Sequence, residues 1–366
     1  MKVLHVTQMT YPVLGIVHQI EDESKAADIL GLDWDVKSYG KVELDSKIFT
    51  LSNCEPSKRF KFKKKYYEWV YGLINKNNYD VVLIRYQPCD YLFYFFLKKF
   101  QKKAKVYLVL HSLLLSELSS YSGISFRYKS FVEYIFGFFN IRKSDGIIAV
   151  TQEVALKEMA RSKCSGKKYI VYPNGISYDN ISTAFNDERN ENLPELLFVA
   201  SEFASWHGLD LFCDALLNSK IKCIVHIVGK IPKSIELRLI LDSRCKVYGL
   251  LPREKISELV NRAWLGLSSF AHFRLGMAQA STLKVREYLS LGLPVYATYK
   301  ESFPSNFHFY RNGPCDLKEI IQYSYEMRKY SRTEVSMSAK PFIDKVILLE
   351  DLYKKLEIAL KLMSNC

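Results

Sequence analysis

The chain has 366 residues, 48% of them hydrophobic, and a net charge of +13 with a pI near 9.1. At roughly 100–200 residues per domain that length fits two domains, and the cationic excess points to an anionic partner: nucleic acid, an anionic membrane surface or phosphorylated ligands. The eight scattered cysteines form no CxxC and no zinc spacing, which argues against a disulfide scaffold and fits a reduced, cytosolic setting.

The N-terminus MKVLHVTQMT reads as a strand and lacks the apolar stretch and cleavage site of a signal peptide. Short apolar runs follow at 34–39, 80–85, 105–111, 145–150 and 168–172, most of them with a helical pattern behind them. After YPNG the rhythm restarts at 195–200, 222–228, 246–248, 263–269 and 293–297. Runs that look buried on both faces suit parallel strands, and strands alternating with helices give an α/β sheet covered on both sides. Pro173-Asn174-Gly175 and the polar stretch 179–194 read as a hinge and linker. The expected domains are therefore 1–172 and 173–345, both doubly wound. Val346, Leu349, Leu352, Leu356, Leu360 and Met363 form one apolar stripe of a last helix over 346–363, which the sequence leaves free to dock on either domain. The longest apolar runs, such as 91–97 and 106–110, are far too short to span a bilayer. A soluble protein, or one bound at a membrane surface, is expected.

Ligands of doubly wound sheets sit at the carboxyl ends of strands, and four stretches of the second half lie there. They are Trp206-His207-Gly208, Val228-Gly229-Lys230, the run from Val247 to Glu254, and STLKVREYLSLGLPV (281–295) with its preceding loop carrying His272 and Arg274. Glycines let a backbone approach a diphosphate and helix N-termini hold it. In the last stretch a helix starts near Ser281 or Thr282, and Glu287 shares a face with Leu283 and Leu291. Glu287 is either solvated or paired with Lys284, or it accepts hydrogen bonds from a ligand held at the helix start.

In order and spacing these stretches resemble the nucleotide-sugar domain of GT-B glycosyltransferases, in particular the retaining family 4 enzymes of bacterial capsule and lipopolysaccharide synthesis. The first half agrees in PVLGI (12–16), VVLIRYQP, LVLHSLLLSEL, DGIIAVTQEV and YPNGI, so the resemblance spans roughly residues 1–300. It implies two Rossmann-like domains facing a cleft, and transfer of a sugar from a nucleotide sugar to an acceptor hydroxyl with retention of configuration. No cofactor or obligatory metal is implied. Glu287 would hold the nucleotide ribose, and backbone N–H groups near Ser281, Thr282 and Leu283 the diphosphate. Gly15 would let the N-terminal loop approach the phosphates, and His111 would lie near the donor sugar. Two positions depart from the family: Gln279 stands for a glutamate, and His207 with Gly208 stands where the family has Lys–Gly. An amide carries no negative charge, and histidine is a weaker, pH-dependent cation; Lys230, Arg274 or Lys284 would have to compensate. The one DxD, Asp33-Trp34-Asp35, opens a strand of the first domain and does not read as a metal motif.

Two basic, aromatic runs remain. Residues 58–65 carry six cations in eight positions and lead into Tyr66-Tyr67-Glu68-Trp69; the second run, 91–105, joins aromatics to five lysines. They read as solvated helix faces or as the contact with an anionic membrane presenting a lipid-linked acceptor. No module that reads RNA or DNA is recognisable, so no nucleic-acid partner is expected. The rival readings are a GT-B-like protein that binds nucleotide or a partner without catalysis, a basic nucleic-acid-binding protein, and a sugar-nucleotide epimerase of the same fold.

Overall fold

The computed structural model describes residues 1–364 apart from 12, 41–46, 53–58, 122 and 179–186. The chain divides into two compact units: Met1–Ser177 together with Lys345–Cys366, and Tyr178–Asp344.

The first unit runs β1 (Val3–Met9), α1 (Leu14–Leu30), β2 (Trp34–Gly40), β3 (Phe49–Leu51), α2 (Arg59–Asn77), β4 (Val81–Arg85), α3 (Tyr91–Gln101), β5 (Lys105–Leu110), α4 (Leu114–Ser120), α5 (Ile124–Lys143), β6 (Gly146–Ala149), α6 (Gln152–Arg161) and β7 (Tyr169–Val171). Its strands pair in parallel in the order β3-β2-β1-β4-β5-β6-β7. Every residue of β1 is buried, as a parallel strand with helices on both faces requires.

The second unit runs β8 (Glu195–Glu202), α7 (Leu209–Leu217), β9 (Ile224–Lys230), α8 (Lys233–Ile240), β10 (Cys245–Val247), α9 (Arg253–Arg262), β11 (Leu265–Leu267), α10 (Leu283–Ser290), β12 (Val295–Ala297), β13 (Tyr310–Asn312), α11 (Leu317–Arg328) and α12 (Arg332–Ile343). Its sheet is also parallel, in the order β10-β9-β8-β11-β12-β13. In each sheet the strand order reverses beside the first strand, between β1 and β4 and between β8 and β11. Such switch points open a crevice at the strands' carboxyl ends.

The last helix, α13 (Lys345–Ser364), belongs to the first unit. Leu349, Leu352 and Leu356 are fully buried in one cluster with Val17 and Ile20 of α1, and the Tyr353 hydroxyl donates to the Met1 carbonyl at 2.9 Å. The stripe alone could not choose its partner; α1 supplies the matching apolar face. Of the expected linker, 179–186 lies outside the described residues, and the segment from Asp187 onward is docked. Glu188 N–H donates to the Asn261 carbonyl at 3.1 Å and Arg189 to the Tyr330 carbonyl at 3.2 Å. A polar stretch can be fastened through hydrogen bonds without apolar side chains. Among the described residues no helix is long and apolar enough to cross a membrane.

Candidate functional site

The loops after β8 and β11 meet at the switch point of the second unit. Gly208 has φ +68°, and a Cβ there would come within 2.9 Å of the Phe270 carbonyl carbon. Only glycine allows this approach, and it lets the loops zip together: Phe270 N–H donates to the His207 carbonyl at 2.8 Å and Ala271 N–H to that of Trp206 at 3.2 Å. Arg274 closes the same junction. Its guanidinium is bidentate to Asp210 at 3.0 and 2.6 Å and also donates to the Ser205 carbonyl at 2.7 Å. The sequence offered Arg274 as a replacement diphosphate cation; the structure commits it to Asp210, whose carboxyl it holds below its ordinary range.

His207 is shifted toward its neutral form. Its Nδ1 accepts the Ala204 N–H at 2.9 Å, and burial lowers its pKa. The neutral ring therefore carries its proton on Nε2 and offers one N–H donor. Gly229 has a structural reason: with φ +137°, any Cβ would lie 1.8 Å from the Ala200 carbonyl oxygen. The next residue, Lys230, ends β9 with an exposed side chain.

Helix α10 begins after the β11 loop, with Thr282 at its N-cap. Of the three backbone donors expected there, the Thr282 N–H is taken by Glu301 at 3.0 Å. That carboxylate also pairs with Arg286 at 2.6 Å, both side chains being fully buried. The Thr282 hydroxyl bonds the Tyr299 hydroxyl at 2.9 Å, which in turn bonds Ser268 at 2.8 Å. The N–H groups of the first turn behind Thr282, beginning with Leu283, have no intrahelical acceptor. Ser281 is buried just before the cap, and Gln279 is half-buried in a short parallel bridge to Lys300.

The side chains of α10 sort by face. Val285, Arg286, Tyr288 and Leu289 are buried. Tyr288 reaches the sheet, accepting the Val199 N–H at 2.9 Å; it passes over Gly266, where a Cβ would stand 2.6 Å from its ring. Glu287 stays about one-third exposed and pairs with Lys284. The paired and the ligand-facing readings of Glu287 thus both survive, because the partner lies on the same accessible face.

In the first unit, Gly15 is the second residue of α1 and exposed; Pro12 lies outside the described residues. His111 directly follows β5. Both its ring nitrogens are shielded from solvent. Burial, with Arg85, His5 and Lys345 nearby, holds its pKa well below the ordinary value, so the ring is neutral at pH 7. Beside it lies a polar core the sequence did not reveal. His5 Nδ1 is 2.7 Å from Glu23, which also accepts from the Trp34 indole at 3.1 Å and the Tyr172 hydroxyl at 3.3 Å. Burial works to raise the Glu23 carboxyl, but His5, Lys345 and Trp34 prevail and hold it at about 2.

Glu301, Asp210 and Tyr299 were also missed; only Asp210, three residues beyond His207, had a positional signal. Asp33 faces Lys2 at 3.6 Å, and Asp35 accepts from Tyr79. Among the described residues no group of three or more His, Cys, Asp or Glu is placed to hold a metal ion. A cavity of about 670 Å³ lined by Tyr79, Asp80, Lys102, Lys103 and Lys105 lies at the amino ends of β4 and β5, away from the strand ends that carry these residues.

The chain superposes over its whole length on solved glycosyltransferases. A glycosyltransferase from Rickettsia africae matches with a TM-score of 0.66 at 18% identity, covering 100% of this chain and 99% of that one. The lipopolysaccharide outer core galactosyltransferase WaaB matches with 0.63 at 13%, covering 100% of both. Anabaena Alr3699/HepE, solved with UDP and glucose, matches with 0.62 at 14%, covering 98% and 99%. The fold is that of the GT-B glycosyltransferases. At such identities what is shared is the fold. No protein-family model and no curated protein matches the chain in sequence.

Within this GT-B chain the two basic runs divide by burial rather than by composition. Lys58 lies outside the described residues. In the run 58–69, Phe62, Tyr66 and Tyr67 are core, Lys63 faces Asp90 at 3.3 Å and Lys64 faces Glu68 at 3.7 Å. In the run 91–105, Leu92, Phe93, Leu97 and Phe100 are buried and Lys105 faces Asp145 at 3.8 Å. Five of the eleven aromatics in the two runs are therefore buried, four are half-buried and two, Phe60 and Phe95, are exposed, as in amphipathic helices with lysines on the outer face.

Proposed function

We propose that this GT-B chain is a retaining glycosyltransferase that moves a sugar from a nucleotide sugar to an acceptor hydroxyl. The acceptor is a lipid-linked oligosaccharide of bacterial surface polysaccharide synthesis, presented at the cytoplasmic face of an anionic membrane. The observation that carries the reading is Glu287. It stays accessible one turn into α10, and that helix opens at the β8–β11 switch point. UDP and glucose in the HepE structure support a nucleotide-sugar donor.

In this reading Glu287 accepts from the ribose hydroxyls, and the first-turn N–H groups behind Thr282 hold the diphosphate, with Lys284 adding charge. These donors stabilise the charge that develops on the leaving nucleotide diphosphate, and a β-phosphate oxygen takes the acceptor's proton. His207 donates from neutral Nε2, and Gln279 hydrogen-bonds the sugar. Lys230, exposed at the end of β9, supplies a further cation. No metal or other cofactor is assigned a part.

Thermal-shift titration with UDP, GDP, dTDP, CDP and their sugar conjugates tests this. One nucleotide should stabilise the protein selectively, and Glu287→Ala should weaken it roughly ten- to hundredfold, the value of a charged acceptor's hydrogen bonds. Transfer from the matching sugar conjugate to a membrane extract should follow. The neutrality of His207 and the commitment of Arg274 to Asp210 favour a second reading, a GT-B protein that binds nucleotide without turnover. A selective shift with no transfer would choose it; no shift with any nucleotide would sink both.

A further inference from the structure

Helix α5 is built inside out. Its buried residues are Glu133, Gly137, Asn140 and Ile141, whereas Ile124, Tyr128, Phe131, Tyr134 and Phe139 are exposed, by 86%, 69%, 62%, 61% and 41%. At 100° per residue, Ile124, Tyr128, Phe131, Tyr134, Ile135, Phe138 and Phe139 share one outward stripe with Arg127 and Arg142. The inner face is polar because it serves a buried network. Glu133 accepts from the Cys89 N–H at 2.7 Å and Asn140 donates to the Asp90 carbonyl at 2.8 Å. The aromatic surface continues onto α3, where the Tyr94 ring meets Phe139 at 5.9 Å and Phe95 is 63% exposed.

Charge decides what can cover this face. The one acid of α5, Glu133, is fully buried, while Arg127, Lys129, Arg142 and Lys143 remain, and Lys98 and Lys99 are exposed on α3 beside Phe95. Rings flanked by cations, with no exposed carboxylate on the helix, match a bilayer interface: the rings enter the acyl boundary and the cations meet anionic headgroups. A helix of 20 residues lies along the interface for about 30 Å.

We infer that the outer face of α5, with Phe95 of α3, docks on an anionic lipid bilayer. This deepens the membrane part of the proposed function by naming the surface, whose main element, α5, lies outside both basic runs of the sequence. It rests on that reading for its acceptor only.

Flotation of the full chain with vesicles tests it, without donor or acceptor. The protein should float with equimolar phosphatidylcholine and phosphatidylglycerol, stay behind with phosphatidylcholine alone, and be released in part by salt. Tyr128→Ser with Phe131→Ser removes two interfacial rings and should lower partitioning roughly tenfold or more. Arg127→Glu with Arg142→Glu should lower it too. All four side chains lie outside the core, so melting temperature and any nucleotide-induced shift should hold. No flotation with the anionic vesicles overturns the inference. So does flotation unchanged by the serine pair, which would put the contact on the lysines of α2 and α3. A self-association that the serine pair dissolves, in a chain that ignores vesicles, would assign the face to a second copy. Flotation lost in the variants while no nucleotide binds would keep this surface and remove the transferase.

Discussion

Helices α10 and α5 break the same rule in opposite directions. In α10 the buried charge, Arg286, meets Glu301 inside the protein, and Val285, Tyr288 and Leu289 make the rest of the core face mostly apolar. In α5 the core face carries the polar Glu133 and Asn140 beside Gly137 and Ile141, and the aromatic stripe is left outside. A buried charge is thus explained within the fold, whereas an exposed aromatic stripe asks for a partner beyond it. Four experiments break or sharpen that contrast.

The largest effect belongs to the α10 pair. Arg286→Met leaves the Glu301 carboxylate buried and uncompensated, and should cost about 3–5 kcal/mol in a denaturant melt. A loss below about 1 kcal/mol would mean that water reaches the pair.

Second is the inner face of α5. Burial pushes the Glu133 carboxyl up to about 7 from an ordinary 4.5, against the Cys89 N–H and Arg161, which favour the anion. Between those values the folded chain keeps a proton that the unfolded chain has released. Stability should therefore fall as pH rises from 4.5 to about 7, by on the order of 3 kcal/mol. Melts of wild type and Glu133→Gln across that range should differ in slope, with the variant flatter; parallel curves would place the titration elsewhere.

Third, Lys284 and Glu287 are each about one-third exposed, so breaking their ion pair should change stability by less than about 0.5 kcal/mol. Glu287→Ala should nevertheless weaken nucleotide binding roughly ten- to hundredfold and shrink the nucleotide-induced shift accordingly, and Lys284→Ala should weaken it less. A large drop in the ligand-free melt would instead make the pair structural.

The smallest effect on folding is the outer face of α5. Tyr128→Ser with Phe131→Ser should leave the melt within about 0.5 kcal/mol of wild type while abolishing most vesicle partitioning. A clear destabilisation would show the rings packing within the chain.

Much of the candidate site was legible because its residues are local. WHG, VGK and STLKVRE sit at strand ends, and strand ends are readable from apolar runs. What each residue is free to do was not legible. Arg274 is committed by Asp210, which lies 64 positions away, and the N–H of Thr282 by Glu301. Burial shifts His207 toward its neutral form, and its Nδ1 is taken up by the Ala204 N–H. The aromatics at 62, 66 and 67 turned inward, while those of α5, which has four cations spread among rings and so no basic run, turned outward.

The sequence by itself determined the two doubly wound sheets, because apolar runs with helices between them allow few other arrangements. It also placed Glu287 one turn inside a helix at a strand's end, since both relations are local. The tertiary structure alone decided that α13 closes the first unit, that Glu23 and His111 share a polar core, and that α5 faces outward with its rings. Those outcomes depend on which surfaces meet across long separations in the chain. Periodicity tells only that a helix has two faces, and packing chooses the one that is buried.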